Sequence, residues 1–188
     1  QDTVPYIDLA PIRQAGGSFL DSCSRNTRQQ ISRCRRLYEA RGPVTLHRAE
    51  TVEQAHALLE QLAVLHQATW QARGRPGAFA NPFFMAFHHR LIERAHDEGR
   101  VDLLHIRCGE ETIGCLYNFH QADSCLSYQS GFAYEEDNRM KPGLLCHALA
   151  AQHYLDAGLQ RYSFLAGDSR YKRSLSNAGE TLVSLTLG

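Results

Sequence analysis

The sequence predicts an α+β (mixed α/β) domain on a largely antiparallel sheet with one parallel crossover. Three observations carry this. Three runs of apolar–polar alternation follow one another between residues 101 and 134, joined by turns short enough to make them antiparallel neighbours. Upstream, apolar residues recur at helical spacing over 18–40, 51–72 and 82–98. Downstream, a Pro-led helix separates the last alternating run from a further apolar strand, the pattern of a crossover to a parallel neighbour.

Each element can be placed in turn. Pro5, Pro11 and Gly16-Gly17 make residues 1–21 an irregular leading segment, so the domain proper is expected over 22–188. Phe19, Leu20, Ile31 and Leu37 predict one helix over 18–40, stopped by Arg41-Gly42-Pro43. Residues 44–48 alternate as a short strand. Thr51 and Gln54 start a capping box, and Ala55, Leu58, Leu59, Leu62, Leu65 and His66 carry a helix to 72. Pro82 opens another helix, with Phe83, Phe84, Phe87, Leu91 and Ile92 on its apolar side. The strands "VDLLHIRC", "TIGCLYNFH" and "SCLSYQSGFAY" follow. Pro142 then opens a helix that Gly158 ends. "QRYSFLAG" reads as the parallel strand, 169–176 as a short helical segment and "TLVSLTL" as a last strand.

Composition narrows the function. Basic and acidic residues balance at 20 each, which argues against a nucleic-acid partner and against binding at a membrane surface. No apolar run reaches the roughly eighteen residues of a membrane span, and no leader is visible, so a cytoplasmic protein is expected. A chain opening on Gln1 reads as a piece of something longer. Cys23, Cys34, Cys108, Cys115, Cys125 and Cys146 form no C-x-x-C pair and lie beside no zinc-like His spacing, so reduced thiols and no metal are expected. Six arginines, at 25, 28, 33, 35, 36 and 41, crowd one predicted helix. They read as a solvated face or as a surface for the acceptor or a partner domain.

Only two lysines occur among twenty basic residues, and they fall in two stretches that carry chemistry. The first is Arg139-Met140-Lys141-Pro142-Gly143-Leu144-Leu145. Pro at the first helical position costs no hydrogen bond, and the amides of Gly143, Leu144 and Leu145 are expected to be unpaired. Gly143 permits close approach, and Arg139 and Lys141 add positive charge, which together make a site for phosphate or pyrophosphate. The second is Gly167-Asp168 followed by Tyr171-Lys172. At helical spacing all three side chains, Asp168, Tyr171 and Lys172, can share one face.

These pieces resemble the GNAT acyltransferases. More specifically, "SRNTRQQISRCRRLYEARGPV", Trp70 with Arg73-Gly74, "VDLLHIRCGEETIGCLYNF", "SYQSGFAYEEDNRMKPGLLC" and "RYSFLAGDSRYKRSL" resemble the CelD/BcsL type, linked to cellulose and exopolysaccharide synthesis. The resemblance implies a GNAT-like acyl-CoA N-acyltransferase fold with splayed central strands and acetyl-CoA, or another acyl-CoA, as cosubstrate. Arg139, Met140, Lys141, Gly143, Leu144 and Leu145 would then hold the cofactor. This loop departs from the commoner Gly-x-Gly-x-Gly/Ala form, which bears on how many amides hold the pyrophosphate. Asp168 would accept a proton from the attacking group or orient it, Tyr171 would protonate the leaving thiolate and Lys172 would stabilise oxyanion charge or bind an anionic substrate. Tyr128, Gln129 and His88 would face the acceptor, with His89 and His120 as further candidate bases.

The expected activity is transfer of an acetyl group to an amino sugar, a polysaccharide or a small amine by direct attack on the thioester. Two alternatives differ in class. One is an aminoacyl-tRNA-dependent, FemABX-like transferase, whose tRNA the arginine-rich helix would help hold. The other is a non-catalytic GNAT-like half-domain that works beside an upstream domain of the same type.

Overall fold

A computed structural model describes residues 2–167 and 169–182. In chain order the elements are β1 (Asp2–Asp8), α1 (Ala10–Gln14), α2 (Phe19–Ser22), α3 (Arg25–Glu39), β2 (Val44–Arg48), α4 (Val52–Ala72), a 3-10 turn at Ala78–Ala80, α5 (Pro82–Ala95), β3 (Val101–Cys108), β4 (Glu111–Gln121), β5 (Ser124–Phe132), α6 (Pro142–Asp156), β6 (Arg161–Ser163), α7 (Arg170–Leu175) and β7 (Ala178–Leu182). The seven strands form one sheet in the order β2-β3-β4-β5-β6-β1-β7. Among the described residues only β5 and β6 pair in parallel; the other pairs are antiparallel. This is the mixed, mostly antiparallel architecture that the alternation predicted.

Two expectations need correction. The segment 1–21 is not irregular: β1 lies inside the sheet, between β6 and β7. Pro5 disguised it, because a residue without an N–H reads as a turn; its carbonyl still accepts the Phe164 amide at 3.0 Å. The helix expected over 18–40 is two helices. Ser18 caps α2 in a capping box with Asp21, and Ser24 caps α3 by accepting the Thr27 amide at 3.2 Å, so the chain restarts instead of running through. The last strand is found over Ala178–Leu182, and positions 183–187 of the expected run lie outside the described residues.

Helices cover both faces of the sheet. The helices α1, α2, α3, α6 and α7 close a core around Ile31, Tyr38, Leu116, Leu145, Tyr154 and Phe164 on one face. On the other face, α4 and α5 pack with Leu59, Leu62, Ile92, Leu103 and Tyr117. Gly131 sets how closely α4 approaches: a Cβ there would stand 2.5 Å from the Leu62 carbonyl oxygen.

The feature that positions a site is where β5 and β6 part. They pair at Ser124–Arg161, Cys125–Tyr162 and Leu126–Ser163, and then pairing ends. The strand β5 runs on to Phe132, whereas the chain after β6 turns toward β1 and enters the left-handed region at Leu165 (φ 56°). The expected strand 160–167 is therefore shortened, and a gap opens between the two strands.

Candidate active site

A cavity of about 480 Å³ opens between the start of α6 and α7. Met140, Lys141, Pro142, Gly143 and Leu144 line one wall, and Arg170, Tyr171 and Ser174 another. Asn26 and Gln30 of α3, with Tyr134, Glu135 and Asn138 from the loop after β5, complete it. The two lysine-bearing stretches thus border one cavity.

The start of α6 has one fewer free amide than expected. The Lys141 amide donates to Cys34 Sγ at 3.1 Å, and Pro142 has no N–H. The Gly143 and Leu144 amides have no acceptor among the described residues. The Leu145 amide donates to the Lys141 carbonyl at 3.1 Å, and its side chain is buried in the core, so Leu145 does not line the cavity. A Cβ at Gly143 would stand 3.2 Å from the Phe132 ring, so the ring would have to give by a few tenths of an ångström.

Charge around this helix start is divided. Lys141 Nζ reaches Gln30 Oε1 at 2.6 Å and stays at the cavity wall. Arg139 lies outside the lining and pairs with Asp137 at 2.7 Å; its hydrogen bonds hold the Asp137 carboxyl down to about 2. Met140 is buried, with Sδ accepting from Arg41 at 3.1 Å, and Arg41 also pairs with Glu135 at 2.7 Å. Alongside runs a groove lined by Asn26, Arg28, Gln29, Gln30, Ser32, Arg33 and Arg36, which shares Asn26 and Gln30 with the cavity. Arg28, Arg33 and Arg36 have no ion-pair partner among the described residues, unlike Arg35 and Arg41 of the same basic run.

At the second wall, Tyr171 lines the cavity and its ring stacks on buried His147 at 5.0 Å, 10° from parallel. Burial raises the Tyr171 pKa. Lys172 does not line the cavity: Nζ donates to the carbonyls of Phe164 (2.9 Å) and Ala166 (3.1 Å). It clamps the turn that carries Leu165 and Gly167 at positive φ, and burial lowers its pKa. Asp168 lies outside the described residues.

The expected acceptor residues lie elsewhere. His88 is buried between the hydroxyls of Tyr117 and Tyr128, each 3.3 Å from a ring nitrogen, and burial lowers its pKa. A bulge at Tyr117/Asn118 leaves Tyr128 without a cross-strand partner, and Gln129 follows it on β5. This group is on the α4/α5 face, outside the cavity lining. His89 binds Glu60 at 2.8 Å and His120 binds Asp102 at 2.7 Å. The sequence reading missed Asn26, Gln30, Tyr134, Asn138, Arg170 and Ser174; of these, the i,i+4 pair Asn26 and Gln30 carried a detectable signal, two polar residues on one side of a helix.

The sequence matches the model of the Acetyltransferase (GNAT) domain over residues 25–173, most of the chain. The chain belongs to the GNAT acetyltransferase family. No curated protein matches it in sequence. In structure this GNAT domain is similar to FemX, with TM-score 0.65 and 11% identity over 89% of this chain and 54% of that one. It is also similar to a conserved protein from Bacteroides thetaiotaomicron (TM-score 0.59, 7% identity, 93% and 54% covered). A third likeness is to L-PGS from Bacillus licheniformis (TM-score 0.53, 11% identity, 97% and 48% covered). At such identities the likeness is one of fold, and the GNAT domain spans about half the length of these structures. Among the described residues no group of His, Cys, Asp or Glu is placed to hold a metal ion, and no helix is long and apolar enough to cross a membrane.

Proposed function

We propose that this GNAT domain transfers an acetyl group from acetyl-CoA to an amino sugar, a polysaccharide or a small amine, as an enzyme of the CelD/BcsL type. One observation carries the reading: the unpaired amides of Gly143 and Leu144 and the hydroxyl-bearing ring of Tyr171 border one cavity. The amides and Lys141 suit a pyrophosphate. The acceptor's lone pair attacks the thioester carbonyl in a ternary complex, the C–S bond breaks, the Tyr171 hydroxyl gives its proton to the departing thiolate, and the proton that the acceptor loses restores the phenol, directly or through water. A phenol kept protonated by burial suits that role. Lys172 acts by holding the turn before α7. Titration with acetyl-CoA in a calorimeter tests this. Binding that Lys141→Ala weakens by about tenfold, the value of one charge-assisted hydrogen bond, supports it; no binding of acetyl-CoA overturns it.

A second reading rests on the arginine groove. Arg28, Arg33 and Arg36 would suit the phosphates of a tRNA, and the likeness to FemX supports a FemABX-like, aminoacyl-tRNA-dependent transferase. Steeply salt-dependent tRNA binding without acetyl-CoA binding would favour it over the first. Under the first reading the same groove helps hold the acceptor or a partner domain.

A further inference from the structure

The gap between β5 and β6 holds a buried polar atom with nothing to bind. His147, in the second turn of α6, is 1% exposed. Its Nδ1 lies 2.8 Å from the Tyr162 hydroxyl, and its Nε2 has no hydrogen-bond partner among the described residues. Burial, helped by the Lys172 charge, takes the His147 pKa down to about 3, so the ring is neutral and carries one proton. When the Tyr162 phenol donates to Nδ1, the imidazole proton is on Nε2. A buried donor without an acceptor costs stability, and folded chains keep few of them.

The surroundings of the ring indicate where an acceptor would come from. Phe132 and Phe164 meet it edge-on at 5.7 and 5.4 Å, Tyr162 lies at 6.0 Å, and Tyr171 covers a face. Of these four rings only that of Tyr171 borders the cavity. Movement of Tyr171 off the stack would therefore join His147 to the cavity, at the strand gap and within one helix of the unpaired amides.

We propose that His147 is a binding residue for the acyl donor, its Nε2–H donating to a carbonyl oxygen of the donor's arm once the Tyr171 ring is displaced. The arm of an acyl-CoA offers two kinds of carbonyl, the pantetheine amides and the thioester. This inference rests on the acyl-CoA reading above.

The test is NMR of the 15N-histidine-labelled chain, together with calorimetry. Saturating acetyl-CoA should shift the His147 Nε2 resonance and slow exchange of its proton. His147→Phe keeps the ring and loses both nitrogens, and should weaken acetyl-CoA binding by about tenfold, one hydrogen bond's worth. Tyr162→Phe removes only the Nδ1 partner and should change affinity less. If His147→Phe weakens CoA and acetyl-CoA equally, a pantetheine amide is the partner; if it weakens acetyl-CoA alone, the thioester is. An unmoved Nε2 resonance, while the Gly143 and Leu144 amides respond, overturns the proposal in the unmutated protein, whatever the variants do. Absence of any acetyl-CoA binding removes the acyl-CoA reading and this inference with it.

Discussion

The two ends of α6 differ in how their polar groups are treated. At the C-terminal end, the buried carboxylate Asp102 has both oxygens occupied: Oδ1 by Arg48, and Oδ2 by His120 at 2.7 Å and Tyr154 at 3.3 Å. Tyr154 in turn accepts from Asn118 at 2.9 Å. At the N-terminal end, two amides, one imidazole nitrogen and three arginines of the neighbouring groove are left without partners among the described residues. Both ends lie under one helix and against one sheet. A pillar is built by pairing what is buried, whereas a site keeps donors unpaired where a ligand can reach them. The pillar has one exception, Asn118 Oδ1, which is buried without a partner among the described residues.

The contrast can be broken from either side. The largest effect is expected for Tyr171→Phe, which should lower turnover by roughly ten- to a thousandfold in a thiol-release assay and leave acetyl-CoA affinity nearly unchanged. Full activity in that variant would remove Tyr171 from the chemistry. Next is Asp102→Ala, which should cost about 3 kcal/mol in denaturant unfolding, the low end for breaking a buried pair because Arg48 keeps part of its hydration. Acetyl-CoA affinity should stay the same, and a large loss of affinity would show that the two ends are coupled. The acid response follows from the same group. Burial pushes the Asp102 carboxyl up, but hydrogen bonds from His120 and Arg48 together outweigh it and hold its folded pKa below the ordinary carboxylate value. Its contribution to stability is thus present above the unfolded pKa of about 4 and is lost as pH falls through the lower, folded value. Asp102→Asn should flatten acid unfolding in that range. The smallest effect is expected for Arg33→Ala: acceptor or partner binding weakened two- to threefold, about a surface charge's worth, with a shallower salt dependence.

Much of this contrast was legible in the sequence, and the rest was hidden for physical reasons. Alternation over 101–134 and the Pro142–Gly158 helix placed the meander and the crossover, because both are local patterns. Pro142 and Gly143 marked the start of α6 for the same reason. Pro5 concealed β1, whose pairing partners lie more than 150 residues away. Lys172 looked like a cleft residue because its spacing from Tyr171 is visible, but the carbonyls that capture it depend on the positive φ of Leu165 and Gly167. His147 could not be singled out among ten histidines, since its isolation is a matter of what surrounds it in three dimensions. Arg139 shows the limit of charge counting: its neighbour Asp137 captures it before any ligand does.

The central claim is that the free amides at the start of α6 are the anchor of the donor. Backbone amide NMR of the 15N-labelled chain tests it most directly. Addition of acetyl-CoA should move the Gly143 and Leu144 amide protons downfield, as expected when a phosphate oxygen accepts them, and should leave Leu145, already bonded to Lys141, comparatively still. Saturating acetyl-CoA that shifts amides elsewhere and leaves Gly143 and Leu144 unchanged would contradict the account.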